Sequence, residues 1–181
     1  NDPSPGFGET HGTKVAGVLG GVHANDFGIK GIMGNVSIMP LRFGFDINSA
    51  AEAAQYAIDN GAVIVNASWG GALFSNESAI SSDWIDNLEA SGILLVSSSG
   101  NNETNNDLFL DYPSGLSSSN ILSVGGLTNL LSHADWSQYG VFSVDLLAPG
   151  EDVMTTENGD AFGLEFGSSF SAPYVSGIAG L

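Results

Sequence analysis

Apolar and polar positions follow two rhythms along this chain, and the rhythms predict its elements. Residues 62–67 and 93–98 are short, nearly continuous apolar runs, the pattern of strands buried on both faces of a parallel sheet. Between and around them the period lengthens to that of helices. Ser49, Ala50, Ala51 and Glu52 read as a capping box opening a helix to about Asn60, with Gly61 as its left-handed stop. Residues 76–90 carry Ile80, Trp84 and Leu88 on one face and end at Gly92. With residues 36–43 read as a further strand, the order strand, helix, strand, helix, strand predicts a right-handed βαβαβ unit.

The flanking stretches complete the pattern. Residues 11–21 alternate small and apolar residues at helical spacing, which predicts a helix packed so closely that glycine and alanine are required, with His11 in its first turn. Residues 121–126 and 141–147 read as shorter strands, with a polar, aromatic turn at 135–140 between them and a loop at 151–167. Residues 167–177 place Ser169 among small residues, and Ala172 and Pro173 after it predict the start of a buried helix with proline in its first turn. There is no internal repeat, linker or low-complexity tract.

Composition narrows what such a fold can do. At 181 residues, 43% of them hydrophobic, the chain is long enough for one domain, 1–181, and is not of a disordered class. Twenty acidic residues against three basic ones, Lys14, Lys30 and Arg42, give a net charge of −17, so neither nucleic acid nor an anionic membrane is an expected partner. No apolar run approaches the length of a membrane span, and a soluble monomer is expected. Such an acid surplus suits a saline habitat or a secreted acidic protein. The absence of cysteine excludes disulfides, zinc–thiolate sites and thiol nucleophiles.

In open parallel sheets ligands bind beyond the carboxyl ends of the strands, so candidate chemistry is sought just after residues 67 and 98. Ser68, Trp69, Gly70 and Gly71 follow the first strand; Ser98, Ser99, Gly100 and Asn101 end and follow the second. Glycines expose backbone for a peptide-like ligand to pair with, and an asparagine amide suits an oxyanion donor. His11 at a helix start is held neutral by the positive helix end and can act as a base, and Ser169 at another helix start suits a nucleophile. Taken singly, each has an ordinary reading as a cap or turn. Together, in the order histidine, amide, serine, they make an acyl-transfer site. No histidine follows Ser169 and no G-x-S-x-G elbow surrounds it, which excludes an α/β-hydrolase order.

On these motifs the chain resembles the subtilisin-like serine peptidases, the subtilase family. Residues 11–17 resemble its histidine motif, with Lys14 where a second histidine is usual; Gly100 and Asn101 resemble the oxyanion-hole motif; residues 68–71 resemble the substrate-binding strand; and residues 167–173 resemble the nucleophile motif. Tyr112, Pro113 and Ser114, and residues 147–150, match further landmarks. The resemblance implies an α/β fold of three layers, doubly wound around a mainly parallel sheet, and serine endopeptidase activity through an acyl-enzyme. It implies that Ser169 attacks, His11 moves the proton, and Asn101 with the Ser169 N–H holds the oxyanion. It also implies that the backbone of Ser68, Trp69 and Gly70 and of Ser98, Ser99 and Gly100 binds a protein or peptide substrate.

The departures shape the remaining expectations. Only ten residues precede His11, and Asp2 and Glu9 lie too close to it to serve as the family's strand-borne triad aspartate. The chain is therefore expected to be a partial catalytic domain, truncated at both ends, weak or inactive alone, with a pro-region and a secretion signal encoded upstream. A non-catalytic peptide-binding relative is the alternative. Trp69 is expected to narrow the pocket entrance, and with no carboxylate placed by motif, a broad or apolar preference is expected. The chemistry requires no cofactor. Residues 22–29 follow the histidine helix where many subtilases bind calcium, so structural calcium is considered there and no metal-binding residue is assigned.

Overall fold

The computed structural model describes residues 9–44, 46–71 and 82–181. Its elements run α1 (His11–Gly20), α2 (Ile47–Asp59), β1 (Ile64–Ala67), α3 (Asp83–Ala90), β2 (Leu94–Ser98), β3 (Ile121–Leu127), β4 (Leu146–Pro149), β5 (Val153–Glu157), β6 (Ala161–Glu165) and α4 (Ser168–Ala179). No described helix is long and apolar enough to cross a membrane.

Strands β1 to β4 form a parallel sheet in sequence order, with Val65 opposite Leu95, Leu95 opposite Ile121 and Val124 opposite Leu146. Successive side chains of a strand leave on opposite faces, so adjacent residues feed different cores. Leu95 joins Ala67, Ile121 and the helix residues Ala54, Trp84, Ile85 and Leu88 on one face. Val96 joins Val124, Ala148 and the α4 residues Ala172 and Val175 on the other. This three-layer arrangement is the doubly wound α/β fold. Helix α1 lies beside α4 and is covered by the hairpin of β5 and β6, with Val18, Val153 and Phe170 between them.

Several local expectations are corrected. Residues 36–43 form no strand: the alternation is present, but no ladder partner lies beside it among the described residues, and Val36 and Ile38 instead lean on Gly20. Helix α2 is capped by Asp46, whose carboxylate accepts from Ser49 N at 3.0 Å, because a charged acceptor at the positive helix end is favoured over the hydroxyl of Ser49. The Gly61 and Gly92 stops do adopt positive φ, 74° and 70°. Strand β1 is only half-buried for most of its length; among the described residues it has a partner strand on one side only. Of the predicted 76–90 helix, residues 76–81 lie outside the described residues; Trp84 and Leu88 are buried as expected.

The C-terminal half departs further. Residues 141–145 are turn and coil, and the strand lies at Leu146–Pro149. The expected loop at 151–167 contains the β5/β6 hairpin, closed by Asn158, Gly159 and Asp160, the last two at positive φ. The hairpin is fixed to α1 by Thr156 Oγ1 donating to Thr13 O at 2.8 Å and by Thr155 Oγ1 donating to Lys14 O. Gly17 permits this approach, because a Cβ there would lie 2.3 Å from Thr156 Oγ1. Pro173 sits in the second turn of α4, not the first.

Candidate functional site

Helix α4 begins beside the carboxyl ends of β1 and β2, and its first turn is fastened to both. Ser68, just past β1, donates from Oγ to Ser169 O at 2.6 Å, and Ser169 Oγ donates back to Ser68 O at 3.2 Å. The first bond explains the position of Pro173. A proline has no N–H for the carbonyl four residues earlier, so Ser169 O is left without its helical donor and takes the Ser68 hydroxyl. Behind this contact Ser176 Oγ donates to Asn66 Oδ1 at 2.8 Å, and Asn66 Nδ2 donates to Ser68 Oγ at 2.9 Å. The lone polar residue in the apolar run 62–67 is thus the support of Ser68, a role the sequence reading missed although its isolation among apolar residues is a visible cue.

Asn101 reaches the same turn from β2. Its Oδ1 accepts from Ser168 N at 2.9 Å and from Ser168 Oγ at 2.8 Å, and Gly100 N donates to Ser168 Oγ at 3.1 Å. With Oδ1 held inward, the Nδ2 donor lies over Gly167, 3.2 Å from where a Cβ would stand. Gly167 has φ 128°, a conformation that keeps the helix entrance free of a side chain. Ser168 was passed over in the sequence; it is the fully buried post between Gly100 and Asn101.

His11, first residue of α1, packs its ring against Phe170 at 5.7 Å between centroids. Burial of that face lowers its pKa below the usual 6.5; the charge of Glu165 opposes the shift and that of Lys14 adds to it. Lys14 is anchored to Glu165 and Glu157 of the hairpin, the latter at 3.3 Å. Glu9 pairs with Arg42 at 3.0 Å, and Asp2 lies outside the described residues. Among the described residues no carboxylate hydrogen-bonds the His11 ring.

The fold therefore brings His11, Asn101 and Ser169 to the first turn of α4: His11 through Phe170, Asn101 through Ser168. Ser68 and Gly100 border the same place, and Gly70 lies against Tyr112 O and the Asp111 carboxylate that also faces Gly100. Ser98 and Ser99 lie behind that place, 5% and 0% exposed, with Ser99 O accepting from Asn106 Nδ2 at 2.9 Å. Gly71 is engaged by Tyr112, donating to its carbonyl at 3.0 Å. Trp69 joins an aromatic cluster with Phe43, Trp84 and Tyr112. In the 22–29 loop, Asn25 Oδ1 is occupied by Phe27 N, and among the described residues no group of three or more His, Asp or Glu side chains could hold a metal.

A serine-bearing helix start at the carboxyl ends of a parallel sheet, a histidine on the neighbouring helix and an amide braced against the serine's own turn define a doubly wound α/β protein with the layout of a serine hydrolase. The chain belongs to the Subtilase family, whose model matches residues 1–181. It is 33% identical over 178 residues to subtilisin-like protease 2 of Plasmodium falciparum, covering 94% of this chain and 13% of that protein. It is 31% identical over 185 residues to alkaline elastase YaB of a Bacillus species, covering 99% and 46%. Among solved structures, proteases from Pseudoalteromonas arctica superpose with TM-score 0.83 at 25% identity, over 94% of this chain and 57% of the other. A cold-adapted subtilisin-like serine proteinase superposes with TM-score 0.79 at 24% identity, covering 94% and 59%, a likeness of fold. The chain thus spans less than half the length of the first two relatives.

Proposed function

We propose that this domain is the catalytic domain of a serine endopeptidase. Ser169 Oγ attacks the scissile carbonyl, forming the O–C bond as its proton passes to His11. The tetrahedral oxyanion is received by Asn101 Nδ2 and the Ser169 N–H. His11 returns the proton to the departing amine, and water then hydrolyses the acyl-enzyme through the same groups. The observation that carries this reading is the clamp on Asn101: both bonds from Ser168 go to Oδ1, which leaves the amide donor to face a ligand beside Ser169. The lowered pKa of His11 supports it, since a neutral imidazole is the form that accepts a proton. For attack, the Ser169 hydroxyl turns from Ser68 O towards the imidazole.

The peptide lies along residues 68–70 and the turn at Gly100. No residue matches the aspartate motif, so in this reading the carboxylate that orients His11 belongs to sequence outside these 181 residues. In subtilisin, a member of the same family, loss of that carboxylate alone lowers kcat by about 3 × 10⁴. Secretion, a pro-region and a monomeric state complete the proposal. The test is treatment of the full-length protein with a serine-directed phosphonate. Covalent labelling at Ser169, lost in Ser169→Ala, is expected; an unlabelled, folded protein would indicate a peptide-binding relative instead.

A further inference from the structure

One buried ionisable group plays no part in that mechanism. Asp111, 2% exposed, precedes Tyr112, which pairs with Gly71 beyond β1. A Cβ built on Gly70 would lie 3.2 Å from Asp111 Oδ2, and one built on Gly100 would lie 3.3 Å from the same oxygen. The carboxylate therefore stands between the two glycines that follow β1 and β2. Neither glycine carries a side chain to screen it.

A second acceptor faces the same spot. Gln138 is 3% exposed, and its Nε2 is spent on Thr104 Oγ1 and Asn106 Oδ1, each at 2.7 Å. Its Oε1 lies against Gly100, 1.5 Å from where a Cβ would be, and has no hydrogen-bond partner. Burial pushes the Asp111 carboxyl up to about 6, opposed by contacts with Gln138 and Ser114. Above that pH the site holds a negative charge and an orphan acceptor, and among the described residues no cationic side chain acts on Asp111. A buried acceptor without a donor is costly, and a buried carboxylate more so.

We propose that Asp111 and Gln138 Oε1 form the floor of the primary specificity site and select a substrate with arginine or lysine immediately before the scissile bond. This rests on the serine endopeptidase reading and takes the place of the broad or apolar preference expected from the motifs. The cationic side chain enters between Gly70 and Gly100, gives Gln138 Oε1 the donor it lacks and neutralises the Asp111 carboxylate. A site built around an unpaired acceptor and a carboxylate without a counter-ion discriminates strongly against a ligand that supplies neither donor nor charge. The sequence concealed this, because Asp111 lies far along the chain from Gly70 and is joined to Gly100 only by the fold.

The test uses two peptidyl diphenyl phosphonates on the full-length protein, identical except that one carries arginine and the other citrulline before the reactive phosphorus. The two differ by one charge at nearly constant shape. Capture forms the Ser169 Oγ–P bond and releases phenol, and is followed by intact mass. The arginyl probe is expected to capture at least about tenfold faster, and Asp111→Asn to bring the two rates within about threefold. Equal rates in the wild type, or an undiminished ratio in D111N, overturn the inference while leaving the peptidase reading standing. Capture by neither probe overturns the inference, and the serine-directed phosphonate test above then decides the peptidase reading separately. Should D111N fail to fold, the wild-type ratio decides alone.

Discussion

Replacing Asn101 by alanine separates the two jobs its side chain performs. Structurally, the change removes the Oδ1 acceptor of Ser168 N and Ser168 Oγ, at 2.9 and 2.8 Å. Two hydrogen bonds at about 0.5–1.5 kcal/mol each set the upper range of the stability loss, and the exposed position of Asn101, where water replaces them, holds it to about 1 kcal/mol. Chemically, the change removes the Nδ2 donor. Loss of one such oxyanion donor costs about 2.7–4 kcal/mol of barrier, or about 10²–10³ in kcat; that magnitude was measured in subtilisin, in the same family, and is carried over. The assay is steady-state hydrolysis of a chromogenic peptide by the full-length protein, beside urea unfolding. The expected result is a large fall in kcat, little change in KM and a small shift in midpoint. Asn101→Asp, which keeps Oδ1 but loses the donor, should cost a comparable factor in kcat with less loss of stability. Undiminished kcat in N101A, or a fall matched by lost stability, would refute the reasoning.

Four further outcomes follow from the same structure and sequence. In this 181-residue chain, where among the described residues no carboxylate hydrogen-bonds the ring, NMR titration should show the His11 pKa below 6.5, and Glu165→Gln, which removes a charge that raises it, should move it further down; a value above 6.5 contradicts the burial argument. By linkage, a histidine whose folded pKa lies below its unfolded value contributes stability above the unfolded pKa that is lost as pH falls through 6.5 towards the folded pKa, which unfolding midpoints across that window check. Gly17→Ala drives a Cβ to 2.3 Å from Thr156 Oγ1 and 2.9 Å from Thr156 N, so denaturant unfolding should show a loss of about 1–3 kcal/mol; an unchanged midpoint would mean the hairpin shifts freely from α1. With net charge −17 and three basic residues, Tm should rise as added salt screens repulsion, and a flat Tm would remove the saline reading.

What could be read from the sequence was what local physics decides. The run at 93–98, short and bounded by Gly92 and Gly100, reads as a buried strand, and β2 is one; Gly61 and Gly92 stop helices because glycine adopts their positive φ at the least cost. The motif serine, histidine and asparagine each lie at an element end, and the chain's order exposed them. What escaped was decided by partners distant in sequence. Thr155 is fully buried although polar, because its hydroxyl finds Lys14 O on α1, so the hairpin face read as loop despite the Asn158–Gly159 turn. Pro173 broke the first-turn rule because Ser68, 101 residues before Ser169, supplies the donor that its missing N–H displaces. Asp111 gains its meaning only when Gly70 and Gly100 close on it. In each case a polar group obtained, or lacks, its partner through the tertiary fold. The sequence therefore points to the groups proposed to react, whereas what supports them follows from where buried donors and acceptors meet.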